Sequence, residues 1–225
     1  RLVSESLMWP LGALTGASVV GLLAAPATYV PWIGTALWAA GIAGVVAWSR
    51  GRRGWLAVVG VSGWISACMG TVLWAQQTTR LTSEPYSFNL VCLMVPCLWA
   101  GDTLAYVVGK SIGKHKMAPS ISPGKTWEGA CGHLIGCALC AGAAGWLTHL
   151  PLGISISCGL LASVTGQVGD LLQSALKRSA MVKDSGIILP GHGGVLDRID
   201  SMLLAVPPQV LFLWLVAQPM FHVKP

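Results

Sequence analysis

Long stretches of this chain carry no formal charge. Ser6 to Ser49, Gly54 to Thr79, Pro85 to Gly101, Gly129 to Gly169 and Ser201 to Val223 contain no Asp, Glu, Lys or Arg. A helix needs about 20 mostly apolar residues to cross a hydrocarbon core of roughly 30 Å, so these stretches supply about seven crossings. Charged and turn-forming residues divide them into predicted spans near 7–25, 31–49, 55–75, 88–109, 129–149, 152–176 and 201–217. The runs lack the apolar/polar alternation of barrel strands, and lipid cannot satisfy open backbone groups, so helices are expected. Pro26 and Pro31 bracket the turn between the first two spans, while Pro207 and Pro208 are expected to kink or break the last. Trp9, Trp32, Trp48, Trp55, Trp74, Trp127 and Trp146 fall near predicted ends, where indoles favour the headgroup level. The expected fold class is all-α, a polytopic integral membrane helical bundle with about seven transmembrane helices.

Composition narrows the functional classes. The chain is 54% hydrophobic and 10% charged, against roughly a quarter charged in a soluble domain, and such apolar content excludes disorder. Seven Cys, an odd number sitting mostly within apolar runs, argue against a disulfide scaffold. Cys131, Cys137 and Cys140 share one span with only His133 nearby, so reduced thiols in helix packing are expected rather than a zinc site. The net charge of +6 reads as an orientation signal and not as a nucleic-acid footprint. With the N-terminus inside, all but Arg80 and Lys224 of the 14 Lys and Arg fall on one face, which is expected to be cytoplasmic. Because the chain begins at Arg1, a preceding targeting segment or further spans are expected.

Six of the eight acidic residues lie between Asp102 and Asp200, beside two loops at 110–128 and 177–200. Asp170 follows the longest charge-free run of this half, and a carboxylate at membrane depth costs at least about 2.5–3.5 kcal/mol, so it is expected to face a cavity, a cation or a metal. An interfacial Asp wetted at a helix end is the bland alternative. Asp102 is a second intramembrane carboxylate. Asp197 and Asp200, spaced i, i+3, would share a helix face, where they either bind a hard cation or simply suit a helix start. Lys177, Arg178 and Lys183 precede Gly191-His192-Gly193-Gly194, a combination able to cradle phosphate, although positive-inside topology could place any single base. Pro123-Gly124-Lys125-Thr126 is not a P-loop, because Pro119 stands where the first Gly is needed; Lys125, Thr126 and Glu128 can still contact a phosphate or headgroup.

The run Ser174-x-Leu176-Lys177-Arg178-x4-Lys183-Asp184-x-Gly186-x2-Leu189-Pro190-x-His192-Gly193-Gly194-Val195-x-Asp197-Arg198-Ile199-Asp200 resembles the signature of the phosphatidate cytidylyltransferases, or CDP-diacylglycerol synthases. Gly109-x3-Gly113-Lys114-His115-Lys116, Ser122-Pro123-Gly124-Lys125-Thr126-Trp127-Glu128-Gly129 and Gly169-Asp170-Leu171 are similar to the other recurrent elements of that family. The resemblance is dense from about Trp99 to Leu204 and only hydropathic before it.

It implies an integral membrane enzyme that condenses CTP with phosphatidic acid to CDP-diacylglycerol and pyrophosphate, most simply in a bacterial inner membrane with its active site on the cytoplasmic side. It implies Mg²⁺, one or two ions, with a monovalent cation also allowed, and a homodimer with no nucleic-acid partner. Asp170, Asp197 and Asp200 would be the metal-binding acids. Lys177, Arg178, Lys183, Asp184 and His192 would complete the catalytic set, with Asp102, Ser122, Lys125, Thr126, Glu128, Gly193, Gly194 and Arg198 at the substrates. Residues 1–98 would form N-terminal transmembrane helices, either a dimer scaffold or lipid-facing, and 99–225 the catalytic transmembrane core. The alternatives are a CTP-dependent lipid kinase, separable by its products, and a membrane transporter, which leaves the two loops unexplained.

Overall fold

A computed structural model describes residues 30, 32–34, 36–37, 39–40, 43, 63–73, 90–179 and 200–216. The predicted span at 7–25 lies outside these residues. Within 31–49 every described residue is helical, and α1 (Gly63–Leu73) falls inside the predicted 55–75. The remainder is α2 (Leu90–Ile112), a hairpin of β1 (Lys116–Ala118) and β2 (Ser122–Thr126), α3 (Trp127–Leu147), α4 (Leu152–Ser179) and α5 (Asp200–Val216). The described chain is thus mostly helical. Among the described residues, two helical stretches, Trp127–Leu147 and Leu152–Arg178, are long and apolar enough to cross a membrane.

The small residues of α3 point inward and its large ones outward. Its buried positions are Gly129, Gly132, His133, Gly136, Cys137, Ala141 and Gly145, whereas Ile135, Leu139 and Trp146 are exposed. A soluble core helix has the opposite polarity; small residues at contacts and bulky apolar ones outside suit helices packed in lipid. The approach to α2 is backbone to backbone. A Cβ on Gly136 would lie 2.7 Å from the Ala100 carbonyl oxygen, and one on Gly132 would lie 3.0 Å from that of Leu104. On the other side of α3, a Cβ on Gly159 of α4 would meet the Cys137 carbonyl oxygen at 2.6 Å.

Helix α3 is closed at both ends. Thr126, in extended conformation, caps it through Oγ1, which accepts from Gly129 N at 3.1 Å. At the other end Thr148 N bonds Ala144 O and Leu150 N bonds Gly145 O, both at 2.9 Å, around His149 at φ 57°. This left-handed residue turns the chain sharply into α4.

Helix α5 corrects the expectation that Pro207 and Pro208 break the last span: it runs unbroken from Asp200 to Val216. Pro207 has no N–H for the carbonyl four residues back. That carbonyl, Leu203 O, instead accepts from the buried Trp64 Nε1 at 2.6 Å, so α1 replaces the missing donor. Trp64, Leu203, Leu204, Val206 and Val210 belong to one buried cluster. Trp64→Phe keeps most of the ring and removes the N–H, so it is expected to destabilise the fold by about 1–3 kcal/mol, read as a lower unfolding temperature in detergent.

Candidate functional site

Where α2 ends, Gly113 N bonds Gly109 O at 3.2 Å and the chain enters the antiparallel hairpin. The segment 110–128, read from sequence as a loop, therefore contains two strands, with Lys116 opposite Thr126 and Ala118 opposite Ser122. A register irregularity falls between Lys116 and Ala118. Glu128, in the first turn of α3, fastens the base of the hairpin: Oε1 lies 2.6 Å from His115 Nδ1 and accepts from His115 N at 3.2 Å. At the tip, Arg178 Nε donates to Ile121 O at 3.4 Å, joining the end of α4 to the turn.

Beneath the hairpin is a cavity of about 590 Å³. Helix α2 contributes Asp102, Tyr106 and Lys110; the hairpin contributes Lys116, Ser122, Lys125 and Thr126; α3 contributes Gly129 and His133; α4 contributes Gly166, Gln167 and Asp170. Three ammonium groups and two carboxylates thus share a space walled by helices whose outer faces are apolar. Gly129 makes the wall thin at the α2–α3 contact, since a Cβ there would lie 3.0 Å from Ala105 O and 3.1 Å from Thr126 Oγ1.

The central contact is an ion pair between Lys125 Nζ and Asp170 Oδ2. The other oxygen, Asp170 Oδ1, accepts from Ser174 Oγ at 3.4 Å. Asp170 and Ser174 are one helical turn apart on α4, which presents them on the same side. Gly169 lets α5 approach that turn: a Cβ on it would lie 2.7 Å from Leu204 Cβ and 3.1 Å from Asp200 O. Asp200 therefore begins α5 close to Asp170, with its Oδ1 accepting from Ser201 N at 2.8 Å. Asp200 precedes the apolar run 201–217. Burial pushes its carboxyl up to about 6, the Asp170 charge adds to this, and Lys177 partly offsets it.

Of the residues assigned from sequence, the structure brings Asp102, Ser122, Lys125, Thr126 and Asp170 to one cavity, with Asp200 near Asp170 and Lys177 within electrostatic reach of Asp200. Glu128 and Arg178 bond to the hairpin. Lys183, Asp184, His192, Gly193, Gly194, Asp197 and Arg198 lie outside the described residues. Sequence reasoning missed Tyr106, Lys110, Lys116, Gln167 and His133 as cavity residues. His133 follows Gly129 by one helical turn, the one sequence signal that could have tied it to the face of α3 carrying the motif glycine.

The acids fit a hard divalent cation in kind. Asp170, within α4, and Asp200, at the start of α5, offer oxygen donors on neighbouring helices, and the Asp170 charge opposes ionisation of Asp200, which a cation would relieve. Among the described residues no group of three metal-capable side chains is assembled. The third predicted acid, Asp197, lies outside them.

A family model described as the cytidylyltransferase family matches residues 3–216. The chain belongs to the cytidylyltransferase family. Among its relatives, the phosphatidate cytidylyltransferase of Bacillus subtilis is 44% identical over 126 residues, 55% of this chain and 47% of the relative. That of Staphylococcus aureus is 46% identical over 127 residues, 56% and 48% of the two chains. That of Brucella abortus is 39% identical over 144 residues, 60% and 51%. The chain spans about half the length of the curated relatives it matches. This cytidylyltransferase chain gathers Lys and Asp side chains beneath one hairpin.

Proposed function

We propose that this chain carries the catalytic core of a membrane-embedded phosphatidate cytidylyltransferase, joining CTP to phosphatidic acid with release of pyrophosphate. The observation that carries this reading is the Lys125–Asp170 pair in a polar cavity behind apolar helix faces. In the reaction a phosphatidate oxygen bonds the α-phosphorus of CTP, the α–β phosphoanhydride bond breaks, and pyrophosphate leaves with the electron pair. The attacking oxygen is already anionic, so the residues need to position and neutralise charge more than to abstract a proton.

Lys110, Lys116 and Lys125 reach the cavity from two sides and suit the phosphates of both substrates. Asp170 orients Lys125, and Ser122 offers a hydroxyl at the hairpin edge. Asp170, Asp197 and Asp200 would hold Mg²⁺, which when bound supplies positive charge to the phosphates and the leaving group. The hairpin and the sequence 177–200 form the cytoplasmic face of a seven-span bundle in a bacterial inner membrane, residues 1–98 act as scaffold, and two copies pair as a homodimer. The resemblance and the distribution of basic residues support this arrangement.

Purified protein in detergent, given labelled CTP and phosphatidic acid, is expected to form CDP-lipid and pyrophosphate only when Mg²⁺ is present. CDP together with a phosphorylated lipid would overturn the reading in favour of γ-phosphoryl transfer. Independently of turnover, Mg²⁺ is expected to raise the unfolding temperature of the native protein and to leave that of Asp170→Asn nearly unchanged.

A further inference from the structure

His133 is 3% exposed in the wall between α2, α3 and α4, and both of its ring nitrogens are engaged. Nε2 lies 3.2 Å from Asp102 Oδ1, and Nδ1 lies 2.7 Å from Ser163 Oγ. The Gln167 amide nitrogen donates to the same Ser163 oxygen at 3.1 Å and to Ala130 O at 3.4 Å. An amide nitrogen only donates, so Ser163 accepts from Gln167. The Ser163 hydroxyl is fully buried, and its single hydrogen has Nδ1 as a near acceptor. The ring proton then sits on Nε2 and points at Asp102. Cys137 Sγ, 3.4 Å from Nδ1, donates to Cys97 O at 3.2 Å. Donors and acceptors balance with a neutral imidazole and an anionic Asp102.

Taking the cytidylyltransferase reading as given, we propose that His133 is a positioning residue that holds the Asp102 carboxylate toward the cavity through the one-way chain Gln167–Ser163–His133–Asp102. Three features support it. The chain ties together three helices, and its ends, Asp102 and Gln167, both line the cavity. The exposures run in the right direction, with the Asp102 side chain 57% exposed and that of His133 4%. The backbone next to Asp102 is shaped for the ring, since a Cβ on Gly101 would lie 2.8 Å from His133 Cε1 and 2.9 Å from Nδ1. Asp102 shares its space with Lys110, Lys116 and Lys125, to which an untethered carboxylate would swing. Held on the histidine side, it remains an acceptor for an electropositive group of the bound ligand, and the lysines remain available for phosphate.

The test is a double-mutant cycle on kcat/KM in the full-length protein, with unfolding temperature followed in parallel. Formation of CDP-lipid by the unaltered protein tests the underlying reading. The variants test the positioning role. His133→Ala is expected to lower kcat/KM by about 10- to 100-fold, as loss of a supporting hydrogen bond does, while in an Asp102→Asn background it adds nothing further. His133→Gln, which restores an N–H near the position of Nε2, is expected to recover most of the loss. Should His133→Ala misfold, Ser163→Ala takes its place in the cycle, with a smaller loss that is likewise absent beside Asp102→Asn.

Multiplicative effects of the two substitutions, a His133→Gln as defective as His133→Ala, or unimpaired His133→Ala would each overturn the proposal. A readout that needs no turnover comes from ¹⁵N-labelled histidine, with the His133 signals assigned by their loss in His133→Gln. Nδ1 is expected as the bare nitrogen and Nε2 as the protonated one; the opposite tautomer would refute the chain.

Discussion

Asp170→Asn is expected to reduce CDP-lipid formation by about 100- to 1000-fold, roughly 3–4 kcal/mol of barrier, while leaving the protein folded. The substitution is nearly isosteric and can still accept from Ser174 Oγ, which bonds Oδ1 at 3.4 Å. What disappears is the negative charge that faces Lys125 and opposes ionisation of Asp200. The effect therefore belongs to electrostatics rather than packing. It is checked by comparing turnover at saturating CTP and Mg²⁺ with the unfolding temperature of the same preparation. A variant within threefold of the native rate would remove Asp170 from the chemistry.

Lys125→Met tests the other half of the pair and is expected to lower kcat/KM for CTP by about 100-fold. Methionine retains much of the aliphatic stem, so the loss reports the ammonium group. The two side chains are 27% and 33% exposed, so solvent screens their mutual attraction and the stability change should stay below about 1 kcal/mol. A large fall in activity beside a small fall in stability is the expected signature. Equal loss of both would make the pair a structural clasp. Steady-state kinetics over a range of CTP concentrations, with thermal unfolding alongside, separate these outcomes.

The described helices were legible because charge-free runs of membrane-crossing length have few alternative structures. The helix Leu152–Ser179 begins at the predicted residue and Asp200–Val216 is displaced by one. The hairpin was not legible: strands of three and five residues, one of them containing Pro123 and Gly124, carry too few apolar positions to show a period of two. Nor was the continuity of the last helix, which depends on an indole N–H donated from more than a hundred residues away.

The site divided along similar lines. Asp102 and Asp170 stood out because a carboxylate in an apolar run demands a reason, and Lys125 because it belongs to a dense local motif. His133 and Gln167 are polar without formal charge, and such residues in apolar helices usually satisfy local needs, so it is their convergence in space that assigns them to the site. Glu128 has a role that the motif did not announce: its carboxylate closes the hairpin on His115.

The inward glycines of α3 also determine which parts of that helix evolution can alter. Where main chain rests on main chain, no rotamer can adjust to a new methyl group, so even alanine at Gly132 or Gly136 would force two helices apart. Some tens of degrees around the same cylinder, Ile135, Leu139 and Trp146 largely face the surroundings, where one greasy side chain serves as well as another. Permissiveness should therefore rise and fall once per helical turn along α3, so a saturation library of this single helix would trace the outline of its neighbours.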